Sequence, residues 1–117
     1  METILLVEDE EPLRHVFIDL LTQLGYRVLG AGNGKEALDM AQRHTGSIDV
    51  LVTDVLMPDL PGPELAVALR DARPSIKVIF VSGGITDESG LAPGASLLMK
   101  PFTVKMLSAK LREILEN

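Results

Sequence analysis

The sequence predicts one open α/β domain built on a five-stranded parallel sheet, and three observations predict it. Short apolar runs alternate with amphipathic stretches five times, which is the rhythm of strands joined by helical crossovers. The runs are close to continuously apolar, the pattern of strands covered on both faces. Acidic, hydroxyl-bearing or basic residues stand directly after four of the runs, at the strand ends where open α/β sheets hold their ligands.

The first run, Thr3 to Val7, is too short for a buried helix and rich in Leu and β-branched residues, so it reads as a strand. Pro12 then sits in the first turn of a helix, where its missing N–H is tolerated. Leu13, Val16, Phe17, Leu20, Leu21 and Leu24 follow at helical spacing as one core-facing stripe. Gly25 ends that helix where a left-handed residue is wanted. Tyr26 to Ala31 is the second strand, and a Gly-Asn-Gly turn leads to a helix from Lys35 to about Arg43, with Ala37, Leu38 and Ala41 inward. Ile48 to Thr53 is the third strand, followed by a Pro/Gly-rich loop and a helix from about Pro63 to Ala72. Ile76 to Val81 is the fourth strand and Leu97 to Met99 the fifth. The last helix runs from about Thr103 to Leu115, with Val104, Leu107, Leu111 and Ile114 at stripe spacing.

The fourth crossover is the weakest unit. Residues 83 to 95 contain Gly83, Gly84, Gly90, Pro93 and Gly94, and a parallel crossover uses about a dozen residues merely to return across the sheet. Each glycine inside a helix costs roughly 1 kcal/mol against alanine. Ile85 and Leu91 are too few for an apolar stripe, so a shortened or missing fourth helix is expected, with at most one or two turns around Thr86 to Leu91.

The length of 117 residues fits one compact domain, residues 1–117, with no linker. Hydrophobic content of 46% with only 3% aromatics requires a core of Leu, Val, Ile, Ala and Met. There are no cysteines, so neither a disulfide framework nor a thiolate-bound metal is available. No apolar stretch reaches the roughly 20 residues that span a bilayer, and no signal-peptide pattern opens the chain, so a cytoplasmic domain without membrane contact is expected. The net charge of −6 argues against a nucleic-acid partner and leaves a cation or a protein.

At the strand ends stand Glu8, Asp9, Glu10 and Glu11, then Asp54, Ser82 and Lys100. A parallel sheet brings all four ends to one edge. Crowded carboxylates repel one another, and a hard cation relieves that repulsion. Mg²⁺ suits such a site, because it takes one or two carboxylates and keeps its other positions for water and phosphate oxygens. Asp54 is then a candidate nucleophile toward phosphorus. Lys100 would neutralise phosphoryl oxygens, and the Ser82 hydroxyl would donate to one of them.

Val-Glu-Asp-Glu at 7–10, Thr-Asp-Val-Leu-Met-Pro at 53–58, Gly62, Val-Ser-Gly at 81–83 and Lys-Pro-Phe at 100–102 together resemble the signature of response-regulator receiver domains of two-component systems. The resemblance covers the whole chain. It implies a flavodoxin-like, doubly wound sheet of order 2-1-3-4-5, and a histidine kinase or histidine phosphotransfer domain as phosphoryl donor. It implies Asp54 as the phosphoacceptor, Asp9, Asp54 and the Leu56 main-chain carbonyl as Mg²⁺ ligands, and Glu8 acting through water. Ser82 would be the switch hydroxyl and Lys100 the phosphate-pairing lysine, with a cis Lys100–Pro101 peptide. The resemblance also implies a phosphorylated signalling domain rather than an enzyme, with no chemistry beyond its own phosphotransfer from the donor and autodephosphorylation. Leu97 stands where the family carries a switch aromatic, so phosphorylation is expected to move the Ser82 loop without ring rotation. Many receivers pair through the face made by their fourth helix, fifth strand and fifth helix; with the fourth helix shortened or missing that mode is expected to be unavailable, and the isolated domain monomeric. The wording at 2–10 and 99–103 resembles the C-terminal receivers of hybrid sensor histidine kinases, although a stand-alone regulator fits as well.

Simpler roles fit other residues. Glu10 and Glu11 complement a helix N-terminus. Gly30, Gly32 and Gly34 follow the second strand with the wrong spacing for a dinucleotide loop and read as a plain turn. His15 and His44 lie on the first two helices, off the apolar stripes, and are expected in solvent. A haloacid-dehalogenase-type phosphatase would need a second Asp at position 56, where Leu56 cannot protonate a leaving group. A flavin module would need phosphate-binding donors where four consecutive acids stand. A phosphorylation-dead scaffold is disfavoured because every acceptor-site residue is present.

Overall fold

The computed structural model describes residues 1–57, 59–83 and 94–116. The elements alternate as β1 (Thr3–Val7), α1 (Glu11–Gln23), β2 (Arg27–Ala31), α2 (Gly34–Arg43), β3 (Val50–Asp54), α3 (Gly62–Ala72), β4 (Lys77–Ser82), β5 (Ser96–Met99) and α4 (Val104–Leu115). All neighbouring strands are parallel, in the order β2-β1-β3-β4-β5. The order therefore reverses between β1 and β3, and the carboxyl ends of those two strands flank the crevice. The expected crossover segment around Thr86 to Leu91 lies outside the described residues.

Successive strand residues point to opposite faces, and each face has its own core. Leu5, Val7, Leu51, Val78 and Phe80 meet Ala37 and Ala41 of α2 and Leu65, Ala66 and Leu69 of α3. Ile4, Leu6, Val50, Val52, Ile79, Val81 and Leu98 meet Phe17 and Leu21 of α1 and Leu107 and Leu111 of α4. No described helix is long and apolar enough to cross a membrane.

The α1 stripe is narrower than its spacing predicts. Phe17 and Leu21 are buried, with Leu13 and Ile18 packed beside them, whereas Val16 and Leu24 are about half exposed. At about 100° per residue, the row 16–20–24 lies one step to the side of the row 13–17–21, and the sheet covers Ile18's side instead. Gly25 ends α1 with φ of 101°, as its position predicts.

Several boundaries also move. Asp54 and Ser82 are the last residues of their strands rather than the first of their loops, because they still pair with Val81 and Met99. α2 begins at Gly34, one residue into the expected turn, since the Asn33 side chain accepts from Glu36 N at 2.8 Å and caps it. His15 is exposed beside Glu11. The expectation of a solvated His44 on α2 is not met: it lies just past the helix and is half buried, with Nε2 enclosed. Arg73 draws this segment in by donating to Ala41, His44 and Gly46 carbonyls.

Candidate functional site

β1 delivers Glu8 and Asp9 to the crevice, and the first turn after the strand is held on several sides. Glu8 N donates to Ala31 O of β2 at 3.0 Å. Glu8 Oε2 accepts from Glu10 N at 3.0 Å, and the Glu8 carbonyl accepts from Arg14 Nη1 at 2.8 Å. Glu8 is buried and Asp9 is exposed, so the two consecutive acids present one enclosed carboxylate and one open to solvent.

β3 delivers Asp54. Its carbonyl lies against Gly62 so closely that a Cβ there would collide with Asp54 O, and Gly62 N donates to Val55 O at 3.0 Å. Thr53 Oγ1 donates to the same Asp54 carbonyl at 3.2 Å. Leu56 follows in the loop and is 88% exposed. Further along, Asp59 accepts from Gly34 N at 3.3 Å and Lys35 N at 3.0 Å, tying the loop after Asp54 to the start of α2. The Lys35 N–H holds the Asp59 carboxyl below its ordinary range against the opposing effect of burial, and the Gly34 N–H adds to the lowering.

β4 and β5 complete the edge. Ser82 is buried at the end of β4, and its carbonyl accepts from Lys100 N at 2.7 Å. The Lys100–Pro101 peptide is cis, as expected. Lys100 Nζ stands 3.0 Å from Asp54 Oδ1. Burial alone would lower the Lys100 ammonium, but the hydrogen bond to Asp54 and the charges of Asp54, Glu8 and Asp9 outweigh it and raise its pKa. Burial pushes the Glu8 carboxyl up; the Glu10 N–H and Lys100 pull it down, while Asp9 and Asp54 push it further up.

Carboxylate oxygens of Glu8, Asp9 and Asp54 all lie within 4.8 Å of one another. Lys100 brings a positive charge to the cluster through Asp54, so among the described residues of the cluster three acids face one lysine. The donors are hard oxygens, the set that Mg²⁺ takes. The site thus gathers Glu8, Asp9, Asp54 and Lys100 in contact range, with Ser82 on the adjacent strand end and Leu56 on the loop. Beside them opens a mainly apolar cavity of about 460 Å³, lined by Glu8, Leu13, Phe17, Gly83, Lys100, Pro101 and Phe102. The rings of Phe17 and Phe102 stack with centroids 5.3 Å apart.

Two residues that shape the site, Arg14 and Asp59, carry no signal at their own positions in the sequence. Their partners are six residues away for Arg14 and 24 to 25 away for Asp59, beyond any local capping pattern.

A family model described as the response regulator receiver domain matches residues 4–112. The sensor kinase CckA of Brucella abortus (strain 2308) is 42% identical over 119 residues, and the match covers 98% of this chain and 13% of the kinase. This chain therefore spans only a small part of that relative's length. The response regulator receiver protein CpdR of the same strain is 31% identical over 119 residues, covering 98% of each chain. Among solved structures, the response regulator protein TrrA from Thermotoga maritima in complex with Mg(2+)-BeF is 26% identical, with a TM-score of 0.79, covering 97% of this chain and 99% of that one.

Proposed function

We propose, on the premise that this chain belongs to the response regulator receiver domain family, that it accepts a phosphoryl group from a phosphohistidine onto Asp54 in a Mg²⁺-dependent reaction. The donor is a histidine kinase or a histidine phosphotransfer domain. A carboxylate oxygen of Asp54 attacks phosphorus; the new P–O bond forms as the P–N bond breaks, and the electron pair leaves with the imidazole nitrogen. The product is an acyl phosphate on the enclosed end of β3.

The chain's own groups are disposed for this transfer. Lys100, already beside Asp54, neutralises the phosphoryl oxygens as a point charge, and the Ser82 hydroxyl donates to one of them. Asp9, Asp54 and the Leu56 carbonyl would hold Mg²⁺, with the buried Glu8 behind them. When bound, the ion offsets the charge of the crowded carboxylates and of the phosphoryl group. Gly62 keeps the Asp54 main chain seated, and Asp59 fixes the following loop to α2. A Mg(2+)-BeF complex of the Thermotoga relative supports the choice of ion. Matches to both a sensor kinase and a free receiver protein leave room for this domain in a hybrid kinase or as a stand-alone regulator.

The observation that carries the reading is the 3.0 Å approach of Lys100 Nζ to Asp54 Oδ1 at a cluster of three acids. Incubation with acetyl phosphate and Mg²⁺ should add one phosphoryl group to the wild type, read by intact mass, and none to Asp54→Asn. Equal incorporation in both proteins would remove Asp54 from the role.

A further inference from the structure

We infer that Arg14 is a positioning residue for the acidic pair, setting the Glu8–Asp9 peptide from behind; this rests on the Mg²⁺-site reading above. Arg14 belongs to α1, yet its side chain turns back across the turn that joins β1 to that helix. Its main-chain N–H donates to Glu10 O at 2.9 Å, while Nη1 donates to Glu8 O at 2.8 Å. One residue thus grips the turn at both ends.

The carbonyl it holds is that of the peptide leading into Asp9. Rotation about the Glu8 Cα–C bond would swing that carbonyl and the Asp9 Cα together and move the Asp9 carboxylate relative to Glu8 and Asp54. The Glu8 N–H is fixed to Ala31, and the Glu8 side chain to Glu10 N. Arg14 supplies the fixed point on the Asp9 side. A charged donor makes this hydrogen bond stronger than a neutral one, and it works against carboxylates that repel one another across less than 4.8 Å.

The neighbouring loop is shaped to admit the guanidinium. A Cβ on Gly32 would stand 3.0 Å from Arg14 Nη1 and 3.5 Å from Glu36 Oε2. Gly32 N also donates to that Glu36 oxygen at 3.3 Å, so the loop is held where any side chain would crowd Arg14. The glycine that reads as part of a plain turn therefore leaves space for a side chain of α1.

Groups that orient metal ligands from behind typically change metal affinity about 10- to 100-fold when removed. Arg14→Met keeps the apolar stem and deletes the donors. Calorimetric titration of the phosphate-free protein with Mg²⁺ should show a dissociation constant raised about 10-fold, and Arg14→Lys, which restores one charged donor, should recover part of the loss. The Asp9 amide resonance should shift in metal-free Arg14→Met and move back toward the wild-type position in Arg14→Lys. With acetyl phosphate, the Mg²⁺ concentration for half-maximal incorporation should rise more than the saturating rate falls. A folded Arg14→Met with wild-type Mg²⁺ affinity overturns the inference. If circular dichroism shows that this variant does not fold, Arg14→Gln decides, because its shorter side chain keeps a polar end but withdraws the donors from the Glu8 carbonyl: weakened binding supports the inference and unchanged binding overturns it. A wild type that binds no Mg²⁺ overturns the site reading itself, and the inference with it.

Discussion

Lys100 is held against Asp54 by both ends of the residue: its ammonium stands 3.0 Å from Asp54 Oδ1, and its amide donates at 2.7 Å to Ser82 O on the strand beside Asp54. The side-chain contact places positive charge on the acceptor, and the main-chain contact fixes where that charge originates. Removing the ammonium should leave the acids to repel one another unopposed. In Lys100→Met the Glu8 carboxyl should therefore titrate at higher pH than in the wild type, since Lys100 is one of the groups pulling it down. Carbon-detected NMR titration in metal-free buffer checks this, and a downward movement would contradict the arrangement. Incorporation from acetyl phosphate should fall by about 100-fold, within the range for losing one electrostatic stabiliser of a transition state.

Gly62→Ala should be damaging out of proportion to one methyl group. The added carbon would meet the Asp54 carbonyl, the Asp54 carbonyl carbon at 3.1 Å and Val55 Cα at 3.2 Å, all of them backbone. Overpacking of this kind costs about 1–3 kcal/mol. Urea unfolding should show that loss together with slower phosphate incorporation, because relief requires Asp54 itself to shift. Loss of stability with full incorporation would mean that the loop yields elsewhere.

Asp59 makes an acid-dependent contribution whose sign follows from its lowered pKa. The carboxylate accepts from the α2 N-terminus only while ionised to full effect, so its stabilisation is present above the unfolded pKa of about 3.8 and is lost as pH falls through the lower folded value. Asp59→Asn should unfold at a lower temperature than the wild type at pH 6, and the gap should close as the buffer is taken below pH 3.8. A gap that persists in acid would assign the effect to packing.

Phe102 couples the lysine segment to α1 through its stack on Phe17. Phe102→Ala should cost about 2–4 kcal/mol, near the lower end for an aromatic truncation because the ring is only partly buried. It should also loosen Lys100, two residues earlier, and so slow incorporation. Calorimetric melting and a phosphorylation time course read the two effects, and a stability loss with an unchanged time course would uncouple the ring from the site.

Most of the sheet was legible because its strands are covered on both faces and so spell continuous apolar runs such as Ile4-Leu5-Leu6-Val7. The acids and the lysine were legible because parallel strands place their ends at a single edge. What escaped was set by contacts across sequence. Val16 and Leu24 carry the right hydrophobicity but face away from the sheet, since period alone leaves the centre of a helical stripe uncertain by one row. Asn33 as a cap was hidden inside a turn that explained it well enough. His44 lies just past the end of α2, where helical spacing stops being a guide, and the segment is drawn in by Arg73, 29 residues on, which donates to the His44 carbonyl. Asp59 and Arg14 act on main-chain groups, whose identity no side-chain pattern records.

The two-faced core has a consequence for how such a chain can diversify. The acceptor loop, with Gly62 and Asp59, leans on the layer of α2 and α3, whereas the apolar cavity beside Lys100 is walled by Leu13, Phe17 and Phe102 of the opposite layer. The reactive carboxylate sits on the seam. Substitutions at Leu13 reshape the cavity and leave Gly62 and Asp59 as they are, whereas Phe17 and Phe102 act on the reactive end through the lysine segment, so the two layers constrain Asp54 unequally.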